Sequence, residues 1–230
     1  AYYYNRCDEW GITPVVFYKN GCIMQGCAVY DVERGQINGI SREVWQCDTA
    51  IAKNSWGYTE NNEFKSAYSC ATNLIDVVSK NGCFMLNVGP KADGTVCDEE
   101  KAVLLKLGEW LKDCGEAIYG SEPFSVFGEG LKEDNKAFND NLIYSRRDYR
   151  FTYKTGTVYV FPMSNESRKS FTVKSLGYRN DGIRYDIRAI ELLGHGNVKV
   201  KWTHDAKSLK ISLSKEVQSD MPLCFKIIID

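Results

Sequence analysis

"AYSCATNLIDVVSKNGCFMLNVGPKADGT" runs from Ala67 to Thr95 and spells a helix, a stop, a strand and a turn in that order. Between about residues 63 and 81 the apolar side chains Tyr68, Ala71, Leu74, Ile75 and Val78 recur on one helical face, and Gly82 ends the run. "CFMLNVG" (83–89) is apolar without alternation, the pattern of a strand covered on both faces. "PKADGT" turns the chain, and Asp98 is placed to cap a second helix. That helix is expected to turn Val103, Leu104, Leu107, Leu111 and Cys114 inward and to end at Gly115. Upstream, "TPVVFYK" (13–19), "CAVYDVE" (27–33) and "VWQCDTA" (44–50) read as short strands that run into polar loops. Strands alternating with helices predict a parallel sheet or barrel for residues 1–120.

Past Gly120 the pattern changes. "GSEPFSVFGEGLKEDNKAFND" is rich in turn formers and polar residues and suits a linker. Period-two runs follow at 157–163, 170–176, 185–193, 197–202, 208–213 and 223–230, with "THDAK" as a hairpin tip. They predict an antiparallel β-sandwich over 121–230, with no catalytic constellation in it. The expected fold class is therefore α/β followed by all-β.

Composition narrows the function. Of the 230 residues 26% are charged and 43% hydrophobic, and the formal net charge is −1. No Lys/Arg block offers a nucleic-acid footprint, and no apolar run approaches the ~18–20 residues of a membrane span. Neither G-x-G-x-x-G nor G-x-x-x-x-G-K-[ST] is present, which argues against a nucleotide site. Nine cysteines form no C-x-x-C pair, so zinc is not expected, and no cofactor is implied. They read as free thiols in small apolar positions, which favours a reducing, cytoplasmic compartment. "AYYYNRCDEW" (1–10) is neither a signal peptide nor a Met-initiated start and reads as the interior of a longer chain.

Two stretches carry chemistry. "YDVERG" (30–35) sets Asp31, Glu33 and Arg34 at the end of an expected strand. In a barrel, the ends of the strands and the loops after them build the active site, and a carboxylic acid there suits a glycosidase general acid. "WQCDTAIAKNSWGY" (45–58) packs Trp45 and Trp56 among polar groups, as a sugar-binding wall or as ordinary core.

Taken together, "AYYYNRCDEWG", "DVERGQ", "WQCDTAIAKNSWGY", "SKNGCFMLNVGPKADGT" and "LGEWLKDCGEAIYGSEPF" resemble the α-L-fucosidases of glycoside hydrolase family 29. The likeness runs from residue 1 to about 125 and continues loosely as the family's C-terminal β-sandwich. It implies the C-terminal portion of a (β/α)8-like barrel and a retaining hydrolase acting on a fucosylated glycan. It assigns Glu33 as general acid/base, with Glu43 of "SREVW" as the alternative. Trp56 would lie against the fucose methyl and ring, and Trp45 stands between wall and core. Asn87 and Asp93 would lie at the rim, in turn or ligand roles.

The family's nucleophile is an aspartate upstream of the segment matching "AYYYN". The N-terminal half of the barrel is therefore an expected partner, and the chain alone is expected to be inactive. A secreted or lysosomal setting also fits the resemblance, and the oligomeric state stays open. A non-catalytic carbohydrate-binding or structural module is the competing reading.

Overall fold

The computed structural model describes residues 1–230 apart from 20, 25, 131–137, 180, 181, 183 and 185. In chain order the elements are α1 (Tyr2–Trp10), β1 (Phe17–Tyr18), β2 (Val29–Asp31), β3 (Trp45–Ala50), α2 (Ala67–Ser79), β4 (Gly82–Asn87) and α3 (Asp98–Cys114). A 3-10 turn at Gly115–Ala117 leads into β5 (Glu122–Glu129), β6 (Tyr149–Lys154), β7 (Thr157–Pro162) and β8 (Arg168–Val173). The chain closes with β9 (Ile187–Leu192), β10 (Val200–His204), β11 (Leu209–Val217) and β12 (Phe225–Ile229).

Strands β1-β2-β3-β4 form a parallel sheet in that order. The remaining strands pair antiparallel in two sheets, β10-β11-β8 and β5-β6-β7-β12-β9. The α/β portion followed by an antiparallel sandwich is the fold class expected from the sequence.

Alternation explains how the layers stack. On β7, Val158 and Val160 join Phe151, Phe171, Ile211 and Phe225 in the core between the two antiparallel sheets. Their neighbours Tyr159 and Phe161 point the other way, into a second core with Ile75 of α2 and Leu107 and Trp110 of α3. One central strand thus serves two cores, which is why nearly all of β7 is buried. Helix α2 in turn packs on β4, and its Val77 joins Trp45, Cys47 and Phe84 of the parallel sheet.

Several local expectations change. The supposed linker carries β5, an edge strand. Its Gly, Ser and Pro lower its intrinsic β tendency, but pairing with β6 and packing on α2 supply what propensity does not. The strand at 149–154 was also not foreseen. Residue 97, not Asp98, is the N-cap of α3; Asp98, Glu99 and Glu100 occupy the first turn, where acids complement the helix dipole. On that helix Trp110 is inward while Leu104 is exposed.

Strand β4 is covered on one face only. Phe84 and Leu86 face the helices, whereas Cys83 is exposed and Met85 is 49% exposed on the face that would line a barrel.

All nine cysteines are free thiols; Cys22, Cys27 and Cys83 are exposed and the other six are buried. Burial pushes the Cys47 thiol up to about 12 and that of Cys70 to about 11. A maleimide is therefore expected to label Cys22, Cys27 and Cys83 in the native chain, and the rest only after unfolding. Peptide mapping by mass spectrometry reads this directly, and rapid labelling of Cys47 or Cys70 would contradict the packing.

Candidate active site

The carboxyl ends of β1, β2 and β3 converge on one lysine. Lys19, one residue beyond β1, donates from Nζ to Asp48 Oδ2 at 2.8 Å and to Glu33 Oε2 at 3.1 Å. Asp31 Oδ2 lies 3.8 Å away. Parallel pairing explains the cluster. Asp31 lies opposite Gln46 in register, so Asp31, Gln46 and Asp48 face the same side of the sheet.

Three acids around one cation leave an excess of negative charge. Burial raises the Asp31 carboxyl above its ordinary range, the Asp48 charge adds to this, and Lys19 opposes it. On Lys19, burial pulls the ammonium down, but hydrogen bonds to Asp48 and Glu33 outweigh it and the net shift is upward. Oδ1 of Asp31 and Oδ1 of Asp48 are buried without a hydrogen-bond partner among the described residues.

Arg34 joins this cluster to the aromatic loop. Its φ of 46° places a non-glycine residue in the left-handed region, a conformation with a cost of order 1–3 kcal/mol that the surroundings must offset. They do so by holding the buried guanidinium: Nη1 donates to Lys53 O at 3.1 Å, and Nη2 donates to Ala52 O at 3.0 Å and Ser55 O at 3.1 Å. The guanidinium also lies over the Trp56 ring, 4.5 Å from its centroid, a cation–π contact.

Trp56 is fixed from β4 as well, where Asn87 Nδ2 donates to its carbonyl at 2.7 Å. Gly89, two residues on, passes so close to this loop that an added Cβ would stand 2.8 Å from the backbone of Gly57 and of Tyr58. The glycine of "LNVGP" thus lets the loop carrying "SWGY" lie against the end of β4. Glu100 of α3 accepts from the Gly89 amide at 3.1 Å and secures the same turn.

Glu33 and Trp56 therefore occupy the same rim, each in the loop that follows its strand, with Arg34 between them. Glu43 and Trp45 do not. Glu43 precedes β3 and sits at the opposite end of the sheet, beside a separate cavity of about 550 Å³ that takes in Tyr18, Tyr30 and Val44 but neither Glu33 nor Trp56. Trp45 is only 1% exposed and is a core residue: its indole donates to Lys80 O at 3.0 Å and packs where a Cβ on Gly82 would meet it at 2.6 Å. Asp93 serves its own turn, accepting from Thr95 N at 3.0 Å and Thr95 Oγ1 at 2.7 Å. No three or more His, Cys, Asp or Glu side chains are placed to hold a metal ion among the described residues. No helix among them is long and apolar enough to cross a membrane.

Residues 8–116 match the family model described as Alpha-L-fucosidase. Over these residues the chain is similar to the α-L-fucosidases. The tissue α-L-fucosidase of Bos taurus is 39% identical over 88 residues, 37% of this chain and 19% of that protein. The rat tissue enzyme is 34% identical over 129 residues, 54% of this chain and 26% of that protein. Among solved structures, one titled alpha-L-fucosidase superposes on 99% of this chain with a TM-score of 0.72 at 24% identity, a likeness of fold. The Thermotoga maritima alpha-fucosidase in complex with fucose superposes on 99% with a TM-score of 0.67 at 25% identity. In both cases the chain spans 47% of the solved protein.

The sequence pointed to Glu33 and Trp56 through their motifs. It missed Lys19, Asp48 and the stapling role of Arg34. The one available signal was position, since Lys19 and Asp48 each belong to a stretch read as a strand of the parallel sheet.

Proposed function

We propose that this chain supplies the acid/base side of the active site of a retaining α-L-fucosidase. The observation that carries this reading is the place of Glu33. It stands at the carboxyl end of the parallel sheet, partly open to solvent, 3.1 Å from Lys19 and on the rim that holds Trp56. Glu33 protonates the departing oxygen and then activates water against a fucosyl-enzyme. Trp56 offers an apolar face to the methyl group and ring of fucose, and the substrate is a fucosylated glycan.

The second carboxylate and the remaining strands come from the N-terminal half of the barrel. Within this chain β1 and β4 are the two open edges of the parallel sheet, where such strands would pair. Gel filtration with that half should give a co-eluting complex that protects Cys83 from maleimide. The assembled enzyme should release fucose from an aryl α-L-fucoside with retained anomeric configuration, whereas the 230 residues alone should not. Glu43→Ala should leave kcat/KM within about twofold, since its side chain belongs to the other end of the sheet. Loss of activity in that variant would move the acid/base away from Glu33.

A further inference from the structure

The segment that returns from the sandwich runs directly beside Glu33. The amide of Phe138 donates to Glu33 O at 2.9 Å, and that of Asn139 donates to Arg34 O at 2.7 Å. The next residue, Asp140, is almost fully buried and anchors the segment from the other side. Its carboxylate Oδ2 accepts from Thr49 Oγ1 and Lys65 Nζ, and its carbonyl accepts from Asn73 Nδ2 at 2.8 Å. Phe138 is thus pinned on both sides, yet its side chain is 69% exposed. Its φ is 57°, a conformation that bulky residues rarely adopt without a compensating role.

An exposed, conformationally strained aromatic residue adjoining a general acid has a chemical consequence. The acid must lie against the oxygen that leaves with the aglycone, so groups flanking it border the leaving group rather than the fucose. We propose that Phe138 forms the aromatic wall of the leaving-group subsite, stacking on the sugar ring to which fucose is attached. This rests on the assignment of Glu33 above. It gives residues 138–140 a part in choosing substrates, whereas Trp56 serves the fucose itself. The ring acts by stacking alone and takes no part in bond making.

The test uses enzyme assembled with the N-terminal half and two substrates. α-L-Fucosyl fluoride has no ring in its leaving group; a fucosyl-galactoside disaccharide does. In Phe138→Ala, kcat/KM on the disaccharide should fall about three- to tenfold, mostly through KM, while the fluoride value stays unchanged. Phe138→Tyr keeps a ring and should restore the disaccharide value, which separates a stacking role from a structural one. Equal losses on both substrates, or no loss on the disaccharide, would overturn the proposal. Glu33→Ala run in parallel separates the two readings. Full disaccharide activity in that variant rejects the acid/base assignment, whereas a collapse there with an unaffected Phe138→Ala rejects only the subsite.

Discussion

Glu33→Ala in the assembled enzyme should lower kcat/KM on a fucosyl disaccharide by about 10²–10⁴, the usual contribution of one positioned acid/base group. A sugar is a poor leaving group and needs a proton, which the proposed assignment has Glu33 deliver. An aryl fucoside with a good leaving group departs without it, so the fucosyl-enzyme should still form and then stall, because no base remains to activate water. Azide is a strong nucleophile that needs no such help. Its addition should restore turnover on the activated substrate and yield fucosyl azide of retained configuration. Steady-state rates and product NMR read both effects. Near-normal disaccharide activity would remove Glu33 from the chemistry, and a slow variant that azide cannot rescue would give it a structural role instead.

The largest stability effect is expected at Asp76→Ala. Asp76 on α2 accepts from Lys80 Nζ at 2.7 Å and from Arg150 Nε on β6, and all three side chains are fully buried. The two cations also lie over the Phe127 ring, at 5.0 Å for Lys80 and 5.1 Å for Arg150. Removing the carboxylate would leave two buried positive charges without the anion between them, a change that typically costs about 3–5 kcal/mol. Urea denaturation of the 230-residue chain should show a lower midpoint with little change in slope. Because the triad joins α2 to β6, the loss should weaken both portions of the fold together. A shift below about 1 kcal/mol would mean that the site relaxes or admits water.

The helices α2 and α3 and most strands were legible because their patterns are local, whereas α1 was not read from the sequence. α2 needs only its own periodicity and Gly82, and β11 alternates buried and exposed residues as its sequence does. β5 was not legible, since its strand character comes from β6 and α2, which lie far along the chain or across a layer. The two tryptophans of the "WQCDTAIAKNSWGY" stretch show the same limit. Nothing local tells Trp45 from Trp56, but one faces Lys80 and Gly82 behind the sheet while the other lies over Arg34 at its rim.

The sequence alone determined the order of parallel and antiparallel parts, the family likeness, and the two motifs that carry Glu33 and Trp56. These are written in short-range spacing and residue type, and they survive without knowledge of neighbours. Tertiary structure decided which acid belongs to the rim and that Lys19 gathers Asp31, Glu33 and Asp48. It also decided that Phe138 comes to lie beside Glu33. Those facts depend on strand register and on contacts between residues as far apart as Thr49 and Asp140. Such proximity is a property of packing, and no window along the chain contains it.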